Sequence, residues 1–260
     1  MDMKLPAYFN LQNEVAIVTG GATGIGRGIA EGLADVGADI VIAARRLERC
    51  EQACRSIAAR AGVKTWPVRC DISDPADIDE LVNSVMAKFG KIDILVNNSG
   101  VGGSEKPILK MDENDWDFVI DVNLRGVFLL SKAVAAKMVE GAQGGRIINV
   151  ASIGGLIGWP NMSAYCASKG GCLQATKVMA LEWARYNIRV NAILPGYFET
   201  PMNTDFFASD AGQEVIKSSI PQRRIAQIDE IRGLAILLAS EASSFMTGSA
   251  LVIDGGQTAF

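Results

Sequence analysis

Tyr165 and Lys169 form the pair of side chains in this sequence that is best suited to transfer a proton. Because they are four residues apart in a helical segment, they lie one turn apart on the same helix face. A free tyrosine hydroxyl has a pKa of about 10, which is too high for efficient proton exchange at neutral pH. A neighbouring ammonium favours the tyrosinate, and lowering this pKa by about 3 units requires roughly 4 kcal/mol of stabilisation. The pair therefore predicts acid–base chemistry centred on Tyr165.

The absence of histidine limits the catalytic groups that this chain can use. None of the 260 residues is a histidine, which excludes histidine general bases, Ser-His-Asp triads and most catalytic zinc sites. Cys166 lies between the tyrosine and the lysine, but without histidine nothing nearby activates it, and we interpret it as a packing residue. No cluster of cysteines or carboxylates has ligand spacing, so the sequence predicts no metal cofactor.

A glycine-rich segment stands where an apolar run, residues 15–19, is followed by a helical one, residues 24–36. Glycines in such a turn let the backbone approach a pyrophosphate, which the free N–H groups at the helix start can bind. A nucleoside triphosphate loop is disfavoured, because Arg27-Gly28 stands where that loop carries Gly-Lys-Ser/Thr. An ordinary strand-to-helix turn is the alternative. The residues of the candidate dinucleotide turn are Gly20, Ala22, Thr23, Gly24, Ile25 and Gly26.

Short apolar runs alternate with longer segments of helical period along the chain. Strands that are apolar on both faces indicate a parallel sheet with helices on both sides. The sequence therefore predicts an α/β fold with a single domain over residues 1–260: a Rossmann-type doubly wound sheet in the order 3-2-1-4-5-6-7, with the site at the carboxyl ends of the strands. The seven predicted strands cover residues 15–19, 39–43, 64–69, 92–96, 146–150, 188–194 and 251–253. The predicted helices cover residues 24–36, 47–60, 77–89, 112–139, 163–186 and 229–239.

The glycine spacing G-x-x-x-G-x-G resembles the TGxxxGxG signature of the short-chain dehydrogenase/reductase family. Further motifs of that family follow in its order at the predicted strand ends, so the resemblance extends over almost the whole chain. Tyr165 and Lys169 match its YxxxK motif, and residues 97–100 resemble its NNAG motif with Ser99 in place of alanine. The remaining matches are Asp71-Ile72, Asn123, Ser152, Pro195-Gly196 and Thr200.

The resemblance implies a nicotinamide-dependent oxidoreductase that interconverts a secondary alcohol and a ketone by hydride transfer. It assigns proton transfer to Tyr165, orientation of the carbonyl oxygen to Ser152, and ribose binding to Lys169. It also assigns support of a water relay to Asn123. Taken singly, Ser152 could be a helix cap and Asn123 a buried amide satisfied by backbone. Beyond the glycine turn, the implied cofactor contacts are Arg45, Arg46, Asp71, Ile72, Asn98, Ser99, Gly100, Tyr165, Lys169, Pro195, Gly196, Phe198 and Thr200.

The end of the second strand favours NADP(H) as the cofactor, with NAD(H) as the alternative. Ala44 stands where NAD-selecting relatives carry an acidic residue, and Arg45 follows it, where a guanidinium can bind the ribose 2′-phosphate. Against this, Thr23 occupies a position in the glycine turn where some NADP-using relatives carry a second basic residue. The alternative interpretation is that Arg45 and Arg46 are solvated charges at a helix start.

The expected substrate is a small ketone or alcohol. The overall pattern resembles both the 3-oxoacyl-carrier-protein reductases and the gluconate or sugar-alcohol dehydrogenases of the family, and the first of these implies a 3-oxoacyl thioester. Gluconate, sugar-alcohol and cyclic-alcohol dehydrogenases are alternatives, and the side chains do not decide among them. Residues 197–224 are polar and contain Pro201 and Pro221, which predicts a substrate lid. The loop residues that form either an apolar substrate pocket or a cover for the core are Trp159, Met162 and Phe198.

Two hypotheses from other classes are a dinucleotide-binding regulator without catalysis and a structural subunit of a hetero-oligomer. Either would need the glycine turn but no proton relay. The joint presence of Asn123, Ser152, Tyr165 and Lys169 therefore argues against both.

The net charge and the residue composition of the chain indicate which partners and which cellular location to expect. A net charge of −4, with no run of Lys and Arg longer than two residues, disfavours nucleic acid and anionic membranes as partners. We recognise no signal peptide and no apolar window of membrane-spanning length, and the five cysteines are typical of the reducing cytoplasm. The helix around Tyr165 has a second apolar side, which predicts a homo-oligomer, namely a homotetramer. This side is formed by Gly170, Gly171, Leu173, Val178, Met179 and Trp183.

Overall fold

One seven-stranded sheet forms the centre of the protein in the computed structural model, which describes residues 6–200 and 203–259. The strands are parallel and lie in the order β3-β2-β1-β4-β5-β6-β7, so the predicted fold class and strand order are confirmed. The strands are β1 (Val15–Thr19), β2 (Asp39–Ala44), β3 (Thr65–Arg69), β4 (Ile94–Asn97), β5 (Gly145–Val150), β6 (Ile188–Pro195) and β7 (Ala250–Ile253).

Helices connect these strands and cover both faces of the sheet. The α-helices are α1 (Gly24–Asp35), α2 (Leu47–Ala61), α3 (Pro75–Phe89), α4 (Glu113–Ile120), α5 (Val127–Glu140), α6 (Ser163–Trp183), α7 (Thr204–Ala208), α8 (Asp210–Ser219) and α9 (Arg232–Ala239). Short 3₁₀ segments are Ala7–Phe9, Ile108–Lys110, Ile153–Gly155, Ala184–Tyr186, Ile228–Ile231 and Glu241–Ser243. Within the described residues, no helix is both long enough and apolar enough to cross a membrane.

Side chains alternate along each strand, so each face of the sheet has its own core. Ala16 and Val18 of β1 pack with residues of α1, α2 and α9. Val15 and Ile17 pack with residues of α3, α5 and α6 on the other face. Because both faces are covered, the inner strands are apolar at most positions, and this produces the nearly continuous apolar runs in the sequence.

Helix α6 carries both buried and exposed apolar side chains. Leu173 and Met179, predicted for the second apolar side, lie in the core of the chain itself and are 6% and 4% exposed. Val178 is 52% exposed and Leu181 is 82% exposed, and Phe128 on the neighbouring α5 is 48% exposed. With Val139 of α5, which is 37% exposed, these are the exposed large apolar residues of α5 and α6, and they differ from the full predicted set.

The helix predicted over residues 112–139 is divided into α4 and α5 by one turn of π-helix, Asp121–Gly126. A π turn carries an extra residue and occurs frequently at functional sites. This one contains Asn123. Gly126 allows the turn to approach the loop after β3, because a Cβ at Gly126 would lie 3.0 Å from the carbonyl carbon of Ile72.

The segment predicted as a lid, residues 197–224, contains two helices that were not expected from its polar sequence. Helices α7 and α8 enclose a small apolar cluster formed by Phe207, Ile216 and Ile220. Each helix is short and contributes few apolar positions, so neither produced a clear helical period. Pro201 belongs to residues 201–202, which lie outside the described residues.

The two edges of the sheet differ in their ability to accept another strand. β3 is one outer strand and contains Pro67, which has no N–H to donate and is typical of edge strands. β7 is the outer strand on the opposite side and has no proline. Its residue Val252 is 42% exposed.

Side-chain amides connect two central strands to the helices that cover them. Nδ2 of Asn97 donates to Oδ1 of Asn149 and to Oγ of Ser131, both at 2.8 Å. Nδ2 of Asn149 donates to Oγ1 of Thr176 at 2.9 Å. All four side chains are buried, where a polar group without a partner costs free energy. The network therefore fixes β4 and β5 relative to α5 and α6.

Removing the Arg146 guanidinium is expected to destabilise the fold. Arg146 binds Glu14 through two hydrogen bonds, of 2.6 and 3.0 Å, and Glu241 through one of 2.9 Å. Burial raises the pKa of the Glu14 carboxyl, and Arg146 lowers it by less. Since Arg146→Ala leaves this carboxyl unpaired, it should reduce the free energy of unfolding by about 1–3 kcal/mol in urea titrations.

The control for this prediction is Arg55→Ala. Arg55 is 71% exposed at its side chain and lies 3.7 Å from Glu51, so its loss should change the free energy of unfolding by less than about 0.5 kcal/mol. Equal effects of the two substitutions would contradict the role assigned to Arg146.

Candidate active site

The glycine turn between β1 and α1 has the backbone geometry that a dinucleotide site needs. Gly20 and Gly24 have φ values of +64° and +56°, which lie in the left-handed region that favours glycine. Gly26 has no room for a side chain, because a Cβ would lie 2.6 Å from the Gly20 carbonyl oxygen and would overlap the Asn98 amide. The remaining predicted residues of the turn are Ala22, Thr23 and Ile25.

Thr19 organises this turn, although it was not among the predicted site residues. Its buried hydroxyl accepts hydrogen bonds from the backbone N–H groups of Asn98 and Ser99, both at 3.0 Å. The side-chain amide of Asn98 donates to the Thr19 carbonyl at 2.9 Å. These bonds join the ends of β1 and β4. A polar residue at the end of a buried strand, directly before the glycines, was the available sequence signal.

The predicted adenosine contacts lie at the carboxyl ends of β2 and β3. The Asp71 carboxylate accepts hydrogen bonds from the N–H and the hydroxyl of Ser73, at 3.0 and 2.7 Å. Burial raises the pKa of Asp71, but these bonds and the charge of Arg45 together lower it below its ordinary value. Ile72 is buried, whereas Arg45 and Arg46 are exposed, so their guanidinium groups are accessible to an anion.

Tyr165 and Ser152 come together near the carboxyl end of β5. Tyr165 lies in the first turn of α6, and the Ser152 hydroxyl accepts a hydrogen bond from the Gly154 N–H at 3.0 Å, so Ser152 also caps a 3₁₀ segment. Burial raises the pKa of Tyr165, and the hydrogen bond with Ser152 lowers it by less. The chain alone therefore raises this pKa, and the lowering expected with the oxidised nicotinamide bound stays a prediction. Nζ of Lys169 lies 5.8 Å from the centre of the tyrosine ring and is hydrogen-bonded elsewhere.

Lys169 is buried beside Asn123. Its ammonium donates to the Val150 carbonyl at 2.9 Å, and burial lowers its pKa. A Cβ at Gly100 would lie 3.4 Å from Nζ of Lys169 and 3.3 Å from Oδ1 of Asn123, so a side chain at this position would closely contact both polar groups. The Asn123 amide accepts from the Val101 N–H at 2.8 Å and donates to the Val101 carbonyl at 2.9 Å. Asn123 is thus satisfied by backbone and also stands next to the lysine.

Some of the predicted residues after β6 lie at the candidate site, and one lies in the core. Pro195 ends the strand, and Gly196 follows it at the same sheet edge. Thr200 lies against the glycine turn, because its Cγ2 is 3.4 Å from the position of a Cβ on Gly24. The Phe198 side chain is 2% exposed and belongs to the core, so it covers the core and is not available for the predicted cofactor contact.

An aromatic wall, formed by Trp159 and Tyr197, stands beside Tyr165. The Trp159 ring is nearly parallel to both tyrosine rings, and its centre lies 6.0 Å from each of theirs. Gly154 lies beneath two of these rings, since a Cβ there would be 3.2 Å from Cζ3 of Trp159 and from Cε1 of Tyr165. Phe207 of the lid segment meets Tyr197 edge-on at 5.1 Å. The wall offers an apolar surface directly next to the proposed proton donor.

These residues fit a nicotinamide dinucleotide. The glycine turn leaves space that a single Cβ would fill, and the ammonium and hydroxyl groups stand further along the same edge of the sheet. Such a cofactor supplies the hydride that no side chain can carry. The arrangement can therefore support hydride transfer coupled to proton transfer.

Comparison with known proteins finds similar chains over almost the full length. A family model described as enoyl-(acyl carrier protein) reductase matches residues 20–258. The curated 3-oxoacyl-[acyl-carrier-protein] reductase of Thermotoga maritima is 37% identical over 246 residues, which covers 95% of this chain and 98% of that protein.

Solved structures share the fold as well. A short-chain type dehydrogenase/reductase from Mycobacterium marinum is 37% identical with a TM-score of 0.91, covering 96% of this chain and 98% of its own. A gluconate 5-dehydrogenase from Burkholderia cenocepacia, in complex with NADP and tartrate, is 37% identical with a TM-score of 0.92. That match covers 97% of this chain and 98% of the other.

Gly26→Ala is expected to weaken dinucleotide binding, because the added Cβ would displace the Asn98 amide and the Gly20 carbonyl. We expect the Kd for NADP⁺, measured by isothermal titration, to rise by at least about 30-fold. Gly233→Ala is the matched control, since a Cβ at this position in α9 would meet nothing within 4 Å, and its Kd should not change. An unchanged Kd in Gly26→Ala would rule out this turn as the cofactor site.

Proposed function

This chain belongs to the short-chain dehydrogenase/reductase family of NAD(P)-dependent oxidoreductases that act on alcohols and ketones, and we propose that Tyr165 is its proton donor in ketone reduction. The observation that carries this proposal is the convergence of four polar side chains around the carboxyl end of β5. These are Asn123, Ser152, Tyr165 and Lys169.

Each of these four side chains has its own role in the proposed proton transfer. Burial favours the protonated form of the Tyr165 hydroxyl, which is the form that can donate a proton to the ketone oxygen. Ser152 orients the substrate carbonyl oxygen against this hydroxyl. A bound nicotinamide would supply or accept the hydride, and the positive charge of its oxidised form would favour the tyrosinate during alcohol oxidation. Lys169 binds the nicotinamide ribose, and Asn123 beside it supports the water relay to the lysine.

The cofactor that we propose is NADP(H), with NAD(H) as the alternative. β2 ends at Ala44, so this position provides no carboxylate to accept hydrogen bonds from a ribose 2′-hydroxyl or to repel a 2′-phosphate. Arg45 and Arg46 follow it and are exposed. The gluconate 5-dehydrogenase described above, which has NADP bound, supports the same choice.

We propose a neutral ketone such as a 3-oxoacyl thioester as the substrate, in preference to a sugar acid. The aromatic wall of Trp159 and Tyr197 favours an apolar group next to the reacting carbonyl. The Lys106 N–H donates to the Asn161 carbonyl at 3.1 Å, close to this wall, but its ammonium is bound by Asp115 and is not available to a substrate carboxylate. The relative from Thermotoga maritima is named for a 3-oxoacyl substrate, which supports this choice.

We further propose that the chain acts as one domain, with residues 197–224 as a lid over the aromatic wall. Tyr197 and Phe207, which belong to this segment, extend the wall into α7.

For the location we propose the reducing cytoplasm, in which thiols remain reduced. All five cysteines are free, and four of them are buried.

Tyr165→Phe should lower kcat for ketone reduction by at least about 10³-fold, because it removes the proton donor but keeps the ring. Its Kd for NADP⁺ should stay within about twofold of the wild-type value. NADPH consumption with a 3-oxoacyl thioester, a cyclic ketone and a keto-gluconate gives the rates and also ranks the substrate classes. Tyr186→Phe, at a tyrosine that is 40% exposed, is the matched control.

Activity of Tyr165→Phe within a few fold of the wild type would remove Tyr165 from the catalytic role. A keto-gluconate reduced faster than both neutral ketones would contradict the proposed substrate class while leaving the reaction itself in place.

We propose a homotetramer in which the exposed apolar face of α5 and α6, formed by Phe128, Val178 and Leu181, meets another subunit. Sedimentation of the wild type at micromolar concentration should give the mass of four chains. Leu181→Glu should dissociate this contact, because it places a charge in an apolar interface. Leu109→Glu alters another leucine, which is 100% exposed, and should leave the assembly intact. A wild-type monomer would refute the proposal.

A further inference from the structure

We propose that Arg49 is a second cationic partner of the ribose 2′-phosphate of NADP, an inference that rests on the cofactor choice proposed above. Helices α1 and α2 face each other across a groove of about 410 Å³ that begins at the glycine turn. Thr23 and Arg27 line this groove from the side of α1, and Arg49, Gln52 and Ser56 line it from the side of α2. The groove thus connects the candidate pyrophosphate turn with the helix that follows β2.

The two arginines in the groove differ in their partners. Nε of Arg27 donates to the Glu31 carboxylate at 2.6 Å, and the same carboxylate binds Arg232. Arg49 is exposed and forms neither an ion pair nor a hydrogen bond within residues 6–200 and 203–259. The charge of Arg27 is therefore balanced by the protein, whereas the charge of Arg49 is free for an anion.

The charges at the start of α2 oppose its helix dipole. Arg46 is the N-cap residue and makes no side-chain capping bond, and Arg49 lies in the first turn, where Glu48 is the acidic residue. The positive end of a helix disfavours cations, and Arg45, Arg46 and Arg49 also repel one another within five residues of chain. A bound phosphate offsets both the unfavourable interaction of these cations with the helix dipole and the repulsion among the arginines. An anionic ligand therefore explains this cluster better than the stability of the free protein does.

Thr23 lies on the wall of the groove opposite Arg49. It is the N-cap residue of α1, but its side chain makes no capping bond, so the hydroxyl is available to a ligand. The glycine turn has no basic side chain at this position, and Arg49 provides one from across the groove. A guanidinium suits this role, because it can bind a phosphate through two parallel hydrogen bonds.

Dissociation constants for NADP⁺ and NAD⁺, measured by isothermal titration at fixed ionic strength, test the inference. Arg49→Ala should weaken NADP⁺ binding about tenfold and NAD⁺ binding by less than about twofold. Arg55→Ala removes a cation from the same helix outside the groove and should change neither constant. Thr23→Arg in the Arg49→Ala background should restore most of the NADP⁺ affinity, because it returns a guanidinium to the groove.

Three results would overturn the role of Arg49. The first is equal weakening of both cofactors in Arg49→Ala, or no weakening of either. The second is a failure of Thr23→Arg to restore NADP⁺ binding. The third is a melting temperature of the cofactor-free Arg49→Ala protein several degrees below that of the wild type, which would indicate a structural role. A wild-type protein that binds NAD⁺ more tightly than NADP⁺ would instead refute the proposed cofactor choice.

Discussion

Two asparagine side chains, Asn97 and Asn149, meet between β4 and β5 in a region from which water is excluded. An amide that lost its partner there would cost about 1–3 kcal/mol, so the strands are held where the amides reach Ser131 on α5 and Thr176 on α6. Apolar contacts alone would permit small shifts of a helix over the sheet, because they have no direction, whereas hydrogen bonds weaken steeply with misalignment. The proposed proton-transfer pair, Tyr165 and Lys169, lies on α6, and its position therefore depends on this network.

Burial favours the neutral forms of both Tyr165 and Lys169, so it raises the pKa of the tyrosine and lowers the pKa of the lysine. The Val150 carbonyl offsets part of the cost of enclosing the ammonium. In the proposed reaction, the positive charge of a bound oxidised nicotinamide would favour the tyrosinate during alcohol oxidation and would couple proton release to cofactor binding.

Much of the architecture could be predicted from the sequence, because strands buried on both faces leave continuous apolar runs and their ends carry the motifs of the site. The order of the strands and the convergence of Tyr165 with Lys169 follow from these local signals. The π turn around Asn123 and the raised pKa of Tyr165 could not be predicted, because they depend on the folded surroundings of these residues. Thr19 was missed although a polar residue directly before the glycines was a usable signal. Helices α7 and α8 were missed because they are short and mostly polar.

The unequal edges of the sheet limit how chains can associate through their strands. Pro67 in β3 interrupts the row of donors that an added strand would need, so this edge resists aggregation. Of the two outer strands of the described sheet, β7 is the one without a proline. A sheet with one usable edge can join one other sheet in a symmetric pair, and the pair then has no open edge left. Pairing through β7 alone would therefore end in a closed dimer and would not propagate into a fibre.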